Sequence, residues 1–144
     1  MKKIEEFFTC YKEAVWQKDA AGLLGLYSKD LIAFDIWDQG FYGSLKQWTP
    51  EIQNWLGSLG DEKVQVDFER MQCYASDTIG FASAYISFQA ISPEGKVLRE
   101  MTNRISVGFS KENGVWKVVH QHISAPVSSQ DLTAVLDLRT PDIR

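Results

Sequence analysis

Val115-Trp116-Lys117-Val118-Val119-His120-Gln121-His122-Ile123-Ser124 follows an Asn113-Gly114 pair and carries both histidines of the chain. Asn-Gly suits a two-residue hairpin turn, whose central residues need positive φ. The segment therefore reads as a strand paired with the one before it. Working backward, that partner spans about 96–110 and is preceded by Ser92-Pro93-Glu94-Gly95, a strong turn signal. Earlier still, 78–91 reads as a long strand behind a Ser76-Asp77 turn. Over 63–75, Val64, Val66 and Phe68 alternate with Gln65, Asp67 and Glu69, as a half-buried strand requires. The apolar phase then moves to Met71 and Cys73, which predicts a bulge near Glu69 or Arg70. Four long strands joined by short turns make an antiparallel meander.

The first half has helical period. Ile4, Phe7, Phe8, Tyr11, Ala14 and Val15 recur on one face of a helix over 2–17. Asp19 is a natural N-cap for a shorter helix carrying Leu23, Leu24, Leu26 and Tyr27. Leu31-Ile32-Ala33-Phe34-Asp35 reads as a short buried strand. Ser44 and Gln47 fit a capping box, but Pro50 is ill-suited to a helix interior. A main helix starting at Thr49, with Pro50 as its first helical residue, is the expectation. Helices first and a meander second give an α+β fold, with N-terminal helices packed on a curved, antiparallel or mixed sheet. The division expected is a domain over 1–126 and a C-terminal tail over 127–144. Leu132, Val135, Leu136 and Leu138 in that tail are placed to dock as a short helix, and 140–144 to fray.

Composition narrows the function classes. A chain of 144 residues accommodates one domain. Its net charge of −4 leaves no basic surplus for phosphates, so nucleic acid is not an expected partner. No apolar run approaches the roughly 18 residues of a membrane span. Met1-Lys2-Lys3-Ile4-Glu5-Glu6 lacks the pattern of a secretory signal, and Cys10 and Cys73 have no metal or redox spacing. A cytoplasmic protein with two free thiols is expected. No phosphate loop, nucleophile elbow or zinc pattern is present, so no cofactor and no covalent mechanism are expected.

Three places can carry chemistry. Strand alternation puts His120 and His122 on one face, with Cα atoms roughly 6–7 Å apart, together with Trp116 and Val118. They line a pocket on that reading; the plainer alternative has them meet solvent near a sheet end. Arg104 lies mid-strand in phase with Thr102 and Ser106, with Asn103, Ile105 and Val107 opposite. A buried arginine there needs a carboxylate or an anionic ligand, and an exposed convex face would also accommodate it. Asp35 leaves a buried strand and enters a loop with Trp37, Asp38, Gly40 and Tyr42. In an apolar cavity its pKa would rise and make it a base at neutral pH. Trp37, Tyr42 and Trp55 are candidate aromatic walls. Two histidines and an aspartate can form a facial metal triad, but His-x-His alone is a weak signal and no metal site is expected.

The order of elements resembles the nuclear-transport-factor-2-like superfamily, in its SnoaL-like and ketosteroid-isomerase-homologue branch, from the N-terminus to about Pro126. The likeness rests on Phe34-Asp35 followed by an aromatic and Gly43, on Arg104 with Ser106, and on the strand from Trp116 to Ser124 continuing to Pro126. It implies a cone whose sheet wraps a cavity, with Asp35, Arg104, His120 and His122 pointing into it. It implies a homodimer joined through sheet surfaces, and a small hydrophobic or anionic organic ligand. Isomerase or lyase chemistry without a cofactor would use Asp35 or His122 as base, His120 as partner or acid, and Arg104 to hold an anionic group. The aspartate, tyrosine and protonated aspartate of ketosteroid isomerase have no matched set here. The alternative is a non-catalytic ligand-binding or dimerisation module.

Overall fold

The computed structural model describes residues 1–138. Three helices, α1 (Glu6–Trp16), α2 (Ala20–Leu24) and α3 (Leu45–Gly57), accompany six strands. These are β1 (Tyr27–Phe34), β2 (Phe41–Tyr42), β3 (Lys63–Ala75), β4 (Ile79–Ile91), β5 (Val97–Glu112) and β6 (Val115–Ser124). They form one sheet in the order β2-β1-β6-β5-β4-β3. Neighbours are antiparallel except β1 and β6, which are parallel. The α+β arrangement read from the sequence is the one found, and the sheet is mixed. Helices cover one face, called inner below. There Phe7, Phe8, Tyr11 and Val15 of α1 are buried. Phe7 meets Phe109 edge-on at 5.8 Å between ring centroids, and Phe8 meets Phe68 at 4.8 Å.

Local chemistry explains the element ends. Asp19 caps α2, its Oδ1 accepting the Gly22 N–H at 2.9 Å. Tyr27 opens β1 instead of closing the second helix. The main helix begins at Leu45, not Thr49, so Pro50 lies inside it. Ser44 Oγ accepts the Gln47 N–H at 3.2 Å, and Gln47 Oε1 accepts the Gly43 N–H at 2.7 Å. These two bonds fix the start upstream. Pro50 is exposed, so the Lys46 carbonyl deprived of its donor lies beside solvent. An interior proline costs about 3 kcal/mol, while burying Trp48, Ile52 and Leu56 contributes about 1.5–3 kcal/mol each. Burial wins.

Two breaks of phase decide which side chains face inward. In β3 the pairing passes from Glu69–Tyr85 to Gln72–Ser83, with Arg70 at φ 56°, a bulge where one was expected. The second break was not expected. Phe109 pairs with Val118 but Gly108 with His120, so Val119 is an extra residue in β6. Trp116 and Val118 face inward before it, and Gln121 and Ile123 after it. The Asn113-Gly114 hairpin has the required positive φ values, 51° and 79°. The tail docks without forming a helix. Val135 N–H bonds the Pro126 carbonyl at 2.8 Å, and Thr102 N–H bonds the Leu136 carbonyl at 2.9 Å, extending the β5 edge past the end of β6. Leu138 is buried and Leu132 sits exposed in the turn at φ 62°. The fraying expected over 140–144 lies outside the described residues.

Candidate functional site

The inner face of β1, β5 and β6 carries a small set of polar side chains among apolar ones. Leu31 and Ala33 are fully buried on β1, and Asp35 follows them in phase. Its carboxylate is half-buried, and desolvation raises its pKa above the usual aspartate range. The backbone N–H groups of Ile36 and Trp37 oppose that rise, while the charges of Glu51 and Asp38 add to it. The Asp35 N–H bonds the Gly40 carbonyl at 3.0 Å, which closes the loop that holds the side chain. Asp35 also acts on its neighbours. Burial first, and then its charge among others, raises the phenol pKa of Tyr11 and Tyr27. Tyr42 is pushed up to about 12, by burial and then by Glu51 and Asp35.

Beside Asp35 lies a buried cluster that the sequence reading did not single out. Tyr27 Oη donates to Gln121 Oε1 at 2.6 Å. Tyr27 packs against Trp48 with ring centroids 6.5 Å apart, and Tyr42 meets the same indole at 5.0 Å. The Trp48 N–H lies near enough to the Tyr27 hydroxyl to offset part of the rise in its pKa, yet has no acceptor in hydrogen-bonding geometry. Gln121 Nε2 and Asn103 Oδ1 are likewise buried without a partner. Asn103 is fully buried, and its Nδ2 donates to the Thr102 carbonyl at 3.1 Å. Asn103 was visible in the sequence as a polar residue in phase with Ile105 and Val107. Gln121 required knowledge of the bulge.

The other sequence candidates lie elsewhere. His120, His122 and Arg104 are on the outer face, opposite Asp35. The expectation that all four converge is corrected: the extra residue at Val119 reverses the facing of both histidines, and Arg104 alternates on β5 with the buried Asn103, Ile105 and Val107 and so faces outward. His122 is exposed and opposite Ser106, and His120 is half-buried opposite Gly108. Phe34 lies against both imidazoles, at 5.5 and 5.2 Å between centroids. Arg104 is exposed and its Nη2 donates to Ser124 Oγ at 3.2 Å. Trp37 is also exposed, whereas Tyr42 is buried; Trp55 is half-buried and packs edge-on to Phe88 at 6.0 Å. Among the described residues no group of three His, Cys, Asp or Glu side chains is placed to hold a metal ion. A groove of about 500 Å³ runs between α1 and β3, lined by Lys12, Trp16, Asp67 and Met71 among others, and contains none of these candidates. Among the described residues no helix is long and apolar enough to cross a membrane.

Solved structures share this architecture at low sequence identity. An NTF2-like protein of unknown function from Pseudomonas putida KT2440 is 20% identical, with a TM-score of 0.83 over 95% of this chain and 94% of that one. The protein Aln2 from a Streptomyces species is 15% identical, with a TM-score of 0.72 over 83% and 85%. A nuclear transport factor 2-like superfamily protein from Salmonella enterica serovar Typhimurium is 21% identical, with a TM-score of 0.67 over 88% and 90%. At these identities the likeness establishes the fold. No curated protein matches the chain. The model of the SnoaL-like domain matches residues 4–128, which spans every helix and strand described above, and the chain belongs to the SnoaL-like domain family.

Proposed function

We propose that the inner face binds a small organic molecule, with Asp35 as general base for an isomerase- or lyase-type proton transfer that uses no cofactor. The observation that carries this reading is a carboxylate of raised pKa on Asp35 beside Tyr27, whose buried neighbours Trp48 and Gln121 each keep an N–H without a partner in hydrogen-bonding geometry. Buried polar groups are almost always hydrogen-bonded, so such a set marks where a ligand or ordered water belongs. Asp35 supplies the base, and burial, with the charges of Glu51 and Asp38 beside it, favours its neutral form, which raises its basicity. Tyr42 and Trp55 serve as walls.

The reading includes a homodimer formed through the outer face. Ile32, Phe34, Phe41, Tyr74 and Phe81 are all exposed there, around the small residues Ser83, Ser106 and Gly108. His120, His122 and Arg104 belong to that surface. Sedimentation at micromolar concentration showing only a 16.4 kDa species would remove the dimer from the reading.

The test of the site is a titration of small aromatic ketones, alcohols, amines and acids, followed at the indole N–H resonance of Trp48. Binders with an acidic C–H are then followed for deuterium uptake in D2O. Uptake by the wild type that Asp35→Asn abolishes, with binding retained, supports the base. Binding with no uptake in either protein supports the non-catalytic module. Absence of any response at Trp48 refutes the inner-face site.

A further inference from the structure

We infer that the outer face of the sheet is a pH-gated surface, which receives a second copy of this chain only while His120 and His122 are uncharged. This rests on the reading of that face as the dimer surface and assigns its regulation. The large apolar side chains there, Ile32, Phe34, Phe41, Tyr74, Ile79 and Phe81, are 40–66% exposed. At roughly 200 Å² for each such side chain, they leave on the order of 600 Å² of apolar surface in water. That is the upper end for the largest patch of a monomer, and most of the ~800 Å² that one partner contributes to a standard interface. Register makes the patch continuous. Phe41, Phe34, His122, Ser106 and Ser83 follow one another across five strands, with His120, Gly108, Phe81 and Tyr74 in the row beside them. The two imidazoles therefore lie within the patch, and Phe34 packs against both.

Nothing beside these imidazoles would balance a charge once the face is covered. They are opposite Ile32 and Phe34 on β1, and opposite Gly108 and Ser106 on β5. The charged groups in phase with them are Asp30 on β1, Glu100, Arg104 and Glu112 on β5, and Lys117 on β6, while β2 has none. Glu100 accepts from Gln89, Glu112 from Ser28, and Lys117 donates to the Gly25 carbonyl. The ion pairs among the described residues are Lys12–Asp67 and Arg99–Glu62, so neither imidazole has a carboxylate partner. Arg104, the next outward residue on β5 from Ser106, carries the same sign as an imidazolium. Protonating a histidine in the closed pair would bury a cation without a counter-charge, and a two-fold axis would do so twice. Imidazole changes charge between about pH 5 and 8. The closed pair thus binds fewer protons than two separate copies, and association weakens as pH falls.

The test is sedimentation equilibrium of the full chain at pH 7.5 and pH 5.5, at one ionic strength. Each imidazole that must shed a proton to be covered weakens association by up to about tenfold per pH unit in acid. One such group per protomer gives a dissociation constant about a hundredfold larger at pH 5.5 than at pH 7.5. The double variant His120→Gln, His122→Gln should pair with nearly equal affinity at both. Ser106→Arg, at an exposed position in the middle of the patch, should be monomeric at pH 7.5 with an unchanged circular dichroism spectrum. A wild-type constant that is equal at the two pH values, or smaller in acid, overturns the inference and leaves the dimer standing. So does a double variant that weakens in acid as steeply as the wild type. A wild type that is monomeric at both pH values, or a dimer that survives Ser106→Arg, removes the outer-face dimer and the inference with it.

Discussion

Removing the Tyr27–Gln121 pair one side at a time, and then together, tests whether the buried cluster is built as described. The hydroxyl and the amide oxygen are 2.6 Å apart, and the residues are 3% and 1% exposed, so water cannot replace a lost partner without a rearrangement. Tyr27→Phe leaves the Gln121 amide with neither end bonded and is expected to cost about 1–3 kcal/mol. Gln121→Leu does two opposing things. It removes a buried N–H that has no partner, and it strands the Tyr27 hydroxyl. The two effects are of similar size, so the net change stays within about 1 kcal/mol. The double variant leaves an apolar contact with nothing stranded, and should exceed the sum of the single changes by about 2 kcal/mol of stability. Urea unfolding gives these values from shifts of midpoint at constant slope. Additivity within about 0.5 kcal/mol would refute the coupling. A large loss on Gln121→Leu alone would show that Nε2 has a partner in solution.

Pro50→Ala should stabilise the protein by about 1–3 kcal/mol, since it restores an interior donor, with part of the gain offset by the looser unfolded chain; a loss by urea unfolding would return Pro50 to a helix start. Asp35→Asn should stabilise at pH 7 and lose that advantage in acid. The sign follows from a carboxyl pKa raised by burial: the folded state prefers the protonated form, so wild-type stability is fully present below the unfolded pKa and is lost as pH rises through the folded one. Equal gaps between variant and wild type at pH 7 and at about pH 3, measured by urea midpoints, would contradict this. Replacing His120 and His122 by Ala should change monomer stability by no more than about 0.5 kcal/mol, whereas Ile123→Ala should cost about 2–5 kcal/mol. The reverse ranking in a melting series would put the histidines inside.

The fold was legible because its signals are local. Alternation along 63–75, the Ser92-Pro93-Glu94-Gly95 turn and the Asn-Gly hairpin each act over a few residues, and the strands they bound are found within about two residues of where they were expected. Pro50 was misread because its local cost is outweighed by a cap six residues upstream and by tertiary burial of the face it shares. The site was only partly legible. Asp35 was found by its position at the end of a buried strand. His120 and His122 were placed on the wrong face because one extra residue at Val119 reverses parity, and parity is all that alternation offers. The clue was present: Trp116 and Val118 are even-numbered, Ile123 is odd, and the Val118-Val119 doublet lies between them. The same kind of shift was recognised in β3 at Met71 and Cys73. Tyr27, by contrast, gave no signal, because its role depends on β6, which lies far away in the sequence.

The parity reversal also limits the chemistry that the inner face can support. Phe34 is opposite His122 in register, so Asp35 and His122 lie on adjacent strands almost side by side. They nevertheless point to opposite faces, and a sheet one layer thick keeps them apart. An Asp–His couple would need a slip of one residue, which would also expel Gln121 and Ile123 from the core. Around Asp35 the phenols of Tyr11, Tyr27 and Tyr42 are all driven toward their protonated forms, Trp48 and Gln121 do not titrate, and the charges that act on it are the carboxylates of Glu51 and Asp38. With no buried Lys, Arg or His among the described residues, and with the Glu51 and Asp38 carboxylates opposing its ionisation, a base at Asp35 under the proposed function would return the proton it takes, or leave it on the ligand at another atom. That is the demand of an isomerisation more than of a hydrolysis.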